Sequence, residues 1–386
     1  MPATPEASPT GTAGELWIAN TVTDLIQGDV HEHLPLEAIP LAGDVLGLGT
    51  TTSLDNGELT FLRNDAGNTT IWKCQASDGG IRALRSGDGS AHFPYVCFSA
   101  EASAVRVPVD PADLKAVAGA PLQDQVQQLV ERLQGQGRLA PAPIVGVRAE
   151  LEWTSLVITV ASKLCMGQQR RNAAIASSEA SDGTAGRSLY ELLQHYRLAA
   201  EDPGDPSDPI RYLGASLQWD CCGFYDADPA SGRVTVPVEG AHLHLHGCSL
   251  DLRHGGHLHH EHPGSSLAVV KRLALYPLQR LHRLHSDLAI EDLQLTDGTL
   301  RFTVVNRGAM DVSGVGVAVV VDDRYGGHRF LRLPWLPAGA GEQFAMPLEL
   351  DPGPHRIEVI ADPEGRILDQ LPLQANNRAS LEVGVG

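Results

Sequence analysis

The sequence has few basic residues, no long apolar stretch and few cysteines. Its 386 residues include 29 lysines and arginines against 47 aspartates and glutamates, which gives a net charge of −18. Because nucleic acids and anionic membranes attract basic proteins, this balance argues against both as partners. No apolar run approaches the roughly 18 residues of a membrane-spanning helix, so we expect no transmembrane segment.

The six cysteines do not form a disulfide framework. None of them belongs to a Cys-x-x-Cys pair, Cys221 and Cys222 are adjacent, and no cysteine follows Cys248. Buried thiols in a reducing compartment are the default for such a pattern. The N-terminus lacks the basic start and apolar core of a signal peptide. We therefore expect a cytoplasmic protein whose residues 1–13, rich in Pro, Thr and Ala, are disordered.

Histidine, in contrast, is concentrated in one stretch, residues 240–262. Eight of the 16 histidines of the chain fall there. At 242–246 histidines alternate with leucines, and alternate side chains of a β-strand point to the same face. Gly255 and Gly256, directly before His257, indicate a turn or a close backbone approach. We predict a hairpin that returns His257 beside the last two histidines of the alternating run.

Three neutral imidazoles on adjacent strands are the ligand set of a catalytic zinc-type site, which leaves a position open for water or substrate. We predict His244, His246 and His257 as metal ligands. Zinc is the expected divalent ion, and manganese, iron or nickel suit the same donors. His242 leaves a second register open, because it also forms a His-x-His pair with His244. Cys248 could approach the metal or be a small packed residue. A solvated histidine-rich loop is the alternative interpretation of the whole stretch.

Hydrophobic periodicity predicts a mainly β chain with one clearly helical segment in its first part. Asn56-Gly57 is a hairpin signal between two β-rich runs. From the amino end, the predicted segments are strands near 46–52, 58–63 and 69–75, a β-rich run at 92–100, a helix within 110–135, two strands within 143–162, a helix at 188–200 and a strand at 210–226.

The last hundred residues differ in character from the rest. They contain seven short, valine-rich runs separated by Gly, Pro and Asp turns, with no helical segment. This spacing predicts an immunoglobulin-like β-sandwich, although the Cys…Trp…Cys pattern is missing. The length of the chain also favours two domains. We expect an α+β, mainly β metal-binding domain over 14–285 and a β-sandwich over 286–386.

Short motifs follow one another in a recognisable order through the first domain. They are Leu-Gly-Leu-Gly-Thr at 46–50, Leu-Asp-Asn-Gly-Glu at 54–58, a strand ending in Arg148, Gly223-Phe224, and the block from His244-Leu245-His246 to Gly255-Gly256-His257. This order resembles the acetolactate decarboxylase family over about residues 15–285. The spacing between His246 and His257 matches the family. Asn56 is an extra residue, and Leu252 separates Asp251 from Arg253, which adjoin in the family.

The resemblance implies a mixed β-sheet or barrel domain that acts as a carbon–carbon lyase. The family converts 2-acetolactate, a 2-hydroxy-3-keto acid, to acetoin and CO2, and its metal would act as a Lewis acid on an enediolate. Glu58 would handle the proton. Arg148 would pair with the substrate carboxylate or stabilise charge near the metal. A homodimer is also implied.

Each of these residues has a plainer interpretation. Without the motif, Glu58 is a solvated hairpin carboxylate and Arg148 forms a surface salt bridge. Asp251 is either an acceptor for a ligand imidazole or a turn cap. Thr50 and Thr51 either line a pocket or simply favour a strand. The remaining histidines of the cluster are expected to face solvent, with a second weak metal site as the alternative. They are His254, His259, His260 and His262.

The tail resembles the CARDB module, and this keeps a different function open. The matching features are Val304-Val305-Asn306-Arg307-Gly308 and a terminal Asn376-Asn377 after the Asp362-Pro363 turn. Such modules act as binding or spacing units, and the partner of this one is unknown. The family also has an acidic residue after the Gly-Gly-His strand, where Glu261 is the only carboxylate and cannot be matched. The alternative is therefore a non-catalytic metal-binding relative whose sandwich recruits a protein or carbohydrate partner.

Overall fold

The computed structural model describes residues 13–27, 34–51, 57–75, 79–85, 92–160, 195–200, 210–323, 329–363 and 375–385. Strands dominate these ranges, which confirms the mainly β fold expected from the sequence. Two sequence predictions fall on residues outside these ranges. They are the disorder predicted for residues 1–12 and the first part, 188–194, of the helix predicted at 188–200. None of the described helices combines the length and apolarity needed to cross a membrane.

Before residue 286 the described chain forms one large sheet, a separate two-stranded sheet and a few short helices. The strands are β1 (Gly14–Ala19), β2 (Leu34–Pro35), β3 (Leu46–Thr51), β4 (Gly57–Arg63), β5 (Thr69–Cys74), β6 (Ile81–Ala83), β7 (His92–Phe93), β8 (Tyr95–Ser99), β9 (Val107–Pro108), β10 (Ile144–Thr159), β11 (His195–Ala199), β12 (Arg211–Tyr212), β13 (Gln218–Asp226), β14 (Leu243–Ser249), β15 (Gly255–Leu258) and β16 (Ser266–Leu284). The helices are α1 (Val22–Gln27), α2 (Pro111–Val117) and α3 (Leu122–Gly135), with short 3-10 turns at Leu36–Ala38, Ala102–Val105 and Pro229–Ser231.

The long strand β10 is the centre of this sheet. The main path runs β13-β14-β15-β10-β16-β1-β8-β3-β4-β5-β6, and β10 also pairs with β13. Strands β10, β13, β14 and β15 therefore close into a ring of pairings, while β3 and β4 continue from the far end of the sheet. Contacts of β4 with β13, β14 and β15 show that the sheet folds back over this ring.

Three sequence predictions need correction or refinement. Residues 144–159 form one strand, where two were expected, because the chain passes the exposed Thr154 without a turn and the break in alternation is taken up by register shifts in its pairing with β16. The predicted helix at 188–200 is wrong in its described part: 195–199 pairs with β10 as strand β11. The predicted helix within 110–135 is two helices, α2 and α3, which are separated around Gly119 at φ 92°.

Gly146 allows the two layers to approach each other. A Cβ atom at this position of β10 would lie 2.1 Å from Leu46 Cδ2 on β3 and 3.2 Å from Tyr276 Cβ on β16. A side chain at Gly146 would require the buried Leu46 side chain to move within the packed core. This contact belongs to an apolar core that includes Leu48, Phe61 and Phe224. It sets the position of β3 and β4 over the face of the ring.

The second part of the described chain is a two-sheet sandwich, as expected. Its strands are β17 (Leu288–Thr296), β18 (Thr299–Asn306), β19 (Val312–Val321), β20 (Arg329–Leu336), β21 (Gly341–Pro347), β22 (Gly353–Ala361) and β23 (Arg378–Val385). One sheet has the order β17-β18-β21 and the other β20-β19-β22-β23. Alternating Val, Leu and Ile residues of both sheets form its core, in which Phe302 stacks on Phe344. The domain boundary at 285/286 stays a prediction.

Candidate metal centre

One row of side chains crosses the ring of strands. His246 on β14 lies directly opposite His257 on β15. On its other side His246 is opposite Cys222 of β13, and Cys222 is opposite Arg148 of β10. Directly opposed residues of antiparallel strands point to the same face. His244, two residues before His246, shares that face. The predicted hairpin is confirmed, with two predicted ligands adjacent across it.

The glycine pair before His257 works by close approach. The φ angles of Gly255 and Gly256 are negative, so neither position requires glycine for a left-handed backbone conformation. A Cβ at Gly256 would lie 2.5 Å from the Thr159 carbonyl oxygen of β10, and one at Gly255 would lie 2.7 Å from Ile81 Cγ2 of β6. The two glycines therefore let β15 fit between β10 and the layer above it, which places His257 at the edge of the site.

The imidazoles of His244, His246 and His257 converge on one point. One ring nitrogen of each lies within 4.8 Å of those of the other two, so the three could hold a metal ion. The Nε2 atoms of His244 and His246 are 3.0 Å apart. The third ring, that of His257, has its centroid 4.7 Å from the ring of His244 and 5.4 Å from the ring of His246.

Two backbone carbonyls determine which ring nitrogens carry protons. His244 Nδ1 donates to the Val234 carbonyl at 2.6 Å, and His246 Nδ1 donates to the Leu59 carbonyl at 2.8 Å. Burial lowers the pKa of His244 to about 4 and the pKa values of His246 and His257 well below their ordinary range. The rings are therefore neutral at pH 7. Because a carbonyl oxygen only accepts, the proton is on Nδ1 and each Nε2 presents a lone pair.

This arrangement fits a bound cation. Two neutral rings protonated on Nδ1 have no hydrogen to share between Nε2 atoms 3.0 Å apart, so their lone pairs repel each other. A divalent cation removes the repulsion and takes both lone pairs, together with that of His257. The carbonyl partners of Nδ1 orient the rings, as outer hydrogen bonds do in metal sites. The three histidines thus point to a divalent metal ion, and zinc, manganese, iron and nickel all suit imidazole donors.

The carboxylate of Glu58 lies beside His246, one of the three histidines. Its Oε2 lies 3.6 Å from His246 Nε2, and its side chain is 17% exposed. Strand β4 positions it, because the neighbouring Leu59 carbonyl is the one that accepts from His246. Burial raises the pKa of Glu58 to about 8 from 4.5. The metal-free site therefore contains a protonated carboxyl group at neutral pH.

Arg148 shares the row but is held by other partners. Its Nη2 donates to Asp44 at 2.8 Å and to the Val45 carbonyl at 3.3 Å, and its Nη1 donates to the Phe61 carbonyl at 3.1 Å. The salt bridge is buried, with the side chains of Arg148 and Asp44 15% and 5% exposed. Arg148 and His246 thus hydrogen-bond carbonyls of β4 two residues apart. Within the described part of the chain, Arg148 forms hydrogen bonds with Asp44, Val45 and Phe61 and none with Glu58 or the three predicted ligands.

The comparisons with known proteins concern the fold. No protein-family model matches the chain, and neither does any curated protein. Alpha-acetolactate decarboxylase from Bacillus subtilis strain 168 has 13% identity and a TM-score of 0.39, covering 70% of this chain and 88% of that one. A Staphylococcus aureus protein of unknown function, described as similar to alpha-acetolactate decarboxylase, has 14% identity and a TM-score of 0.42, covering 69% and 88%.

A separate segment is similar to the CARDB domain of a Pyrococcus furiosus protein, solved in complex with di-metal ions. The identity is 19% and the TM-score 0.21, covering 26% of this chain and 90% of that one. Acetolactate decarboxylases and CARDB domains, the two families that the sequence motifs resemble, are thus among the structural neighbours. At this low similarity the chemistry has to be inferred from the residues of the site.

A buried hydrogen-bond network beside His257 was not predicted from the sequence. Thr159 Oγ1 contacts His195 Nδ1 at 2.8 Å and His259 Nε2 at 2.6 Å, while His259 Nδ1 contacts Glu261 at 3.0 Å. The ring of His259 lies 4.6 Å from that of His257. The expectation that His259 and His260 face solvent is wrong, since His259 is 8% exposed and the side chain of His260 is 6% exposed. No sequence pattern joins these residues, because β10, β11 and the hairpin meet only in the fold.

The other residues singled out in the acetolactate decarboxylase-like motifs have structural roles here. Asp251 accepts from the hydroxyls of Ser249 at 2.6 Å and Ser216 at 3.1 Å, so it caps the turn between β14 and β15. Cys248 is fully buried. Thr51 Oγ1 accepts from the backbone N–H of Gly57 at 3.1 Å.

Thr50 and His242 are the remaining residues that the sequence singled out. Thr50 lies opposite Glu58 on β3, where it shares the side of that carboxylate. His242 lies outside the group of three: its Nδ1 donates to the Asp226 carbonyl at 2.7 Å, and its ring stacks on Tyr225. The geometry therefore favours the register with His244 and His246 over the one with His242.

Proposed function

We propose that this protein is a metal-dependent carboxy-lyase that converts 2-acetolactate, or a related 2-hydroxy-3-keto acid, to a hydroxyketone and CO2. The observation that carries the proposal is the convergence of three neutral imidazoles, with Glu58 3.6 Å from one of their Nε2 atoms. A catalytic metal site needs both open coordination positions and a nearby acid or base. The motifs that resemble the acetolactate decarboxylase family fall on these same residues.

His244, His246 and His257 would hold the metal, with zinc as the first candidate. When bound, a divalent cation acts as a Lewis acid toward the keto and hydroxyl oxygens of such a substrate. Three histidines leave further coordination positions for those oxygens. The carbonyls that accept from Nδ1 of His244 and His246 keep the Nε2 lone pairs directed into the site.

Glu58 would supply the proton. Breaking the bond to the carboxylate releases CO2 and leaves an electron pair on carbon, which must take up a proton to give the hydroxyketone. A carboxyl group protonated near neutral pH is suited to donate it. In the metal-free site burial raises the pKa of Glu58 to about 8, which favours the protonated form against the opposite effect of a bound cation. After donation the Glu58 carboxylate would be reprotonated from water, so the cycle needs no other reactant.

Arg148 would stabilise negative charge at the end of the row away from His257. Its Nε atom is buried without a hydrogen-bond partner, and a buried donor left unsatisfied is unfavourable. A substrate carboxylate approaching along the row would satisfy this donor while Nη2 stays on Asp44 and Nη1 stays on the Phe61 carbonyl. Arg148 thus combines a structural tie with a proposed charge-stabilising role.

Replacing Arg148 with lysine separates these two roles. We expect R148K to lower kcat/KM for acetoin formation by about 10- to 100-fold, because lysine lacks the planar set of donors. The matched variant is Asp44→Asn, which breaks the same buried ion pair and lowers thermal stability comparably. The loss of activity should be at least tenfold smaller in D44N than in R148K. Equal losses of activity would mean that Arg148 acts only by holding the two layers together.

The wild-type protein provides the direct test of the proposal. Metal-loaded protein is incubated with 2-acetolactate, and acetoin is measured against the spontaneous rate and against chelator-treated protein. Zinc, manganese, iron and nickel are compared in parallel. Acetoin formation that requires metal supports the proposal. A protein that binds metal stoichiometrically but forms no acetoin with any of these ions refutes it for this substrate.

One observation favours a non-catalytic metal-binding relative as the second candidate. Glu261, the only carboxylate after β15 that could replace the family's second acidic residue, is bound to His259 at 3.0 Å and is 60% exposed. Its contacts are with His259 and His260, and it forms no ion pair with the three predicted ligands in the described part of the chain. In this alternative the sandwich would recruit a protein or carbohydrate partner. The cytoplasmic location and the homodimer stay predictions.

A further inference from the structure

One of the three predicted ligands, His257, lacks the support that the other two have. The Nδ1 atoms of His244 and His246 each donate to a backbone carbonyl. Within the described part of the chain, no hydrogen bond holds the ring of His257. A histidine that binds a metal usually donates its other ring N–H to a fixed acceptor, which sets the orientation of the ring. Another kind of contact must therefore orient His257.

The local backbone does little to fix the ring of His257. Gly255 and Gly256 precede it and contribute no side chains. Only two residues of β15, His257 and Leu258, pair with β10. The χ2 torsion of histidine is broad, so the rotamer alone leaves the ring plane undetermined. The orientation of His257 thus depends on neighbouring side chains.

The ring of His259 packs against the ring of His257. Their centroids are 4.6 Å apart, and the two ring planes are tilted by 51°. Because side chains in a protein interior are closely packed, a neighbouring ring at this distance restricts the rotation of His257. The contact is useful for orientation only if His259 is itself held in place.

His259 is held at both ring nitrogens. Nδ1 donates to the Glu261 carboxylate at 3.0 Å, a contact that needs only an acceptor oxygen. In the neutral ring Nε2 then accepts from the Thr159 hydroxyl at 2.6 Å. The backbone N–H of His259 donates to the Val157 carbonyl at 3.0 Å. These three contacts, on a side chain that is 10% exposed, fix the position of the ring.

Thr159 joins His259 to the strand that runs beside the metal centre. It lies directly opposite His257 on β10 and is 1% exposed. Its hydroxyl oxygen, while donating to His259, accepts from His195 Nδ1 at 2.8 Å. Donor and acceptor functions of the hydroxyl are both used, and a buried network satisfied in this way is rigid. Thr159 therefore determines where the ring of His259 lies.

We propose that Thr159 and His259 are positioning residues of the metal centre. Thr159 fixes the ring of His259, and that ring fixes the ring of His257, in place of the carbonyl acceptors that orient His244 and His246. His259 is not a ligand itself, because both of its ring nitrogens are engaged by other groups. The inference rests on the metal centre of the proposed function and not on the lyase reaction. Metal binding therefore tests it without turnover.

Two substitutions of Thr159 in the full chain separate its hydroxyl from its shape. Thr159→Val removes the hydroxyl and keeps the branched side chain, whereas Thr159→Ser keeps the hydroxyl. Zinc affinity is measured by competition with a chelating dye. We expect T159V to bind zinc about tenfold more weakly, at the lower end of the effect of outer hydrogen-bond partners, and T159S to stay within about twofold of wild type.

Thr69→Val is the matched control. Thr69 is also buried, and its hydroxyl also forms two short hydrogen bonds, with Gly43 and Val45 at 2.8 Å each. We expect T69V to lower the melting temperature as T159V does and to leave zinc affinity unchanged. The visible spectrum of the cobalt-substituted protein is a second readout, because its bands depend on the arrangement of the ligands around the ion. The bands should shift in T159V and not in T69V.

Replacing His259 with alanine distinguishes a positioning residue from a ligand. We expect H259A to bind zinc about 10- to 100-fold more weakly than wild type. His257→Ala, which removes a direct ligand, should lose more. Thermal melting curves show whether each variant is folded. If H259A does not fold, the comparison of T159V with T159S decides.

Three results for the variants would overturn the proposal. They are a T159V protein with the zinc affinity and cobalt spectrum of wild type, equal losses of affinity in T159V and T69V, and a loss of zinc in H259A as complete as in H257A. The second would mean general destabilisation, and the third would make His259 a ligand. A wild-type protein that binds neither zinc nor cobalt removes the metal centre and this proposal with it. A protein that binds zinc and responds to T159V as expected, but forms no acetoin, refutes only the lyase activity.

Discussion

Replacing His246 with alanine is expected to remove metal binding and reduce acetoin formation to the spontaneous rate. His246 contributes one of two Nε2 lone pairs that face each other at 3.0 Å. Loss of a direct ligand should exceed the roughly 10- to 100-fold loss that follows removal of an outer hydrogen-bond partner. The two readouts are the metal content after dialysis, measured by inductively coupled plasma mass spectrometry, and the amount of acetoin formed.

His242→Ala is the matched control, since this histidine belongs to the same alternating run. Its contacts are the Asp226 carbonyl and the ring of Tyr225. We expect H242A to keep its metal and its activity, with a loss of about 1 kcal/mol in the free energy of unfolding. The opposite result, with H242A losing metal and H246A retaining it, would mean that the other His-x-His register is the correct one.

His246→Asn covers the case in which the alanine variant is unstable. His246 is 1% exposed, so alanine leaves a cavity and an unpaired Leu59 carbonyl. Asparagine keeps a donor for that carbonyl and removes the ring nitrogen. A folded H246N protein without metal supports the assignment. A folded H246N protein with full metal content contradicts it.

The alternation of histidine and leucine was enough to predict the hairpin and the group of three. A strand places alternate residues on one face, and the Gly-Gly pair constrains where the return strand begins. The pattern is local, so the sequence contains all of it. The seven-stranded sandwich was predictable for the same reason, because each short run alternates and ends in a turn. Glu58, in contrast, was placed only by resemblance to a family motif.

The partners of the site were not predictable, because they come from distant parts of the chain. Arg148 pairs with Asp44, 104 positions away, and the sequence offered only a surface salt bridge as the alternative. The network of Thr159, His195 and His259 likewise depends on β10 meeting β11 and the hairpin. Residue 195 was predicted to lie in a helix, since the periodicity of a short apolar run does not separate a strand from a helix.

Replacing Glu58 with glutamine is expected to lower kcat/KM for acetoin formation by about 10²- to 10⁴-fold, the usual contribution of a positioned proton donor. Glutamine keeps the size of the side chain, so metal content should not change. Glu261→Gln is the matched control, because it removes a carboxylate that is bound to His259 and 60% exposed. Losses as large in E261Q as in E58Q would assign the proton to Glu261 instead.

The stability of the metal-free protein tests the same carboxyl group independently of turnover. Burial raises the pKa of Glu58 to about 8 from 4.5, so between these values the folded state holds a proton that the unfolded state has lost. The free energy of unfolding of wild type therefore falls as the pH rises through this window, whereas glutamine does not titrate. At pH 9, E58Q should be more stable than wild type by about 2–4 kcal/mol, and at pH 4 the two should be equal. Added metal should reduce the difference, because a cation beside the carboxylate stabilises its charge. A difference that does not change with pH would show that Glu58 is solvated, and the proton would then have to come from another group.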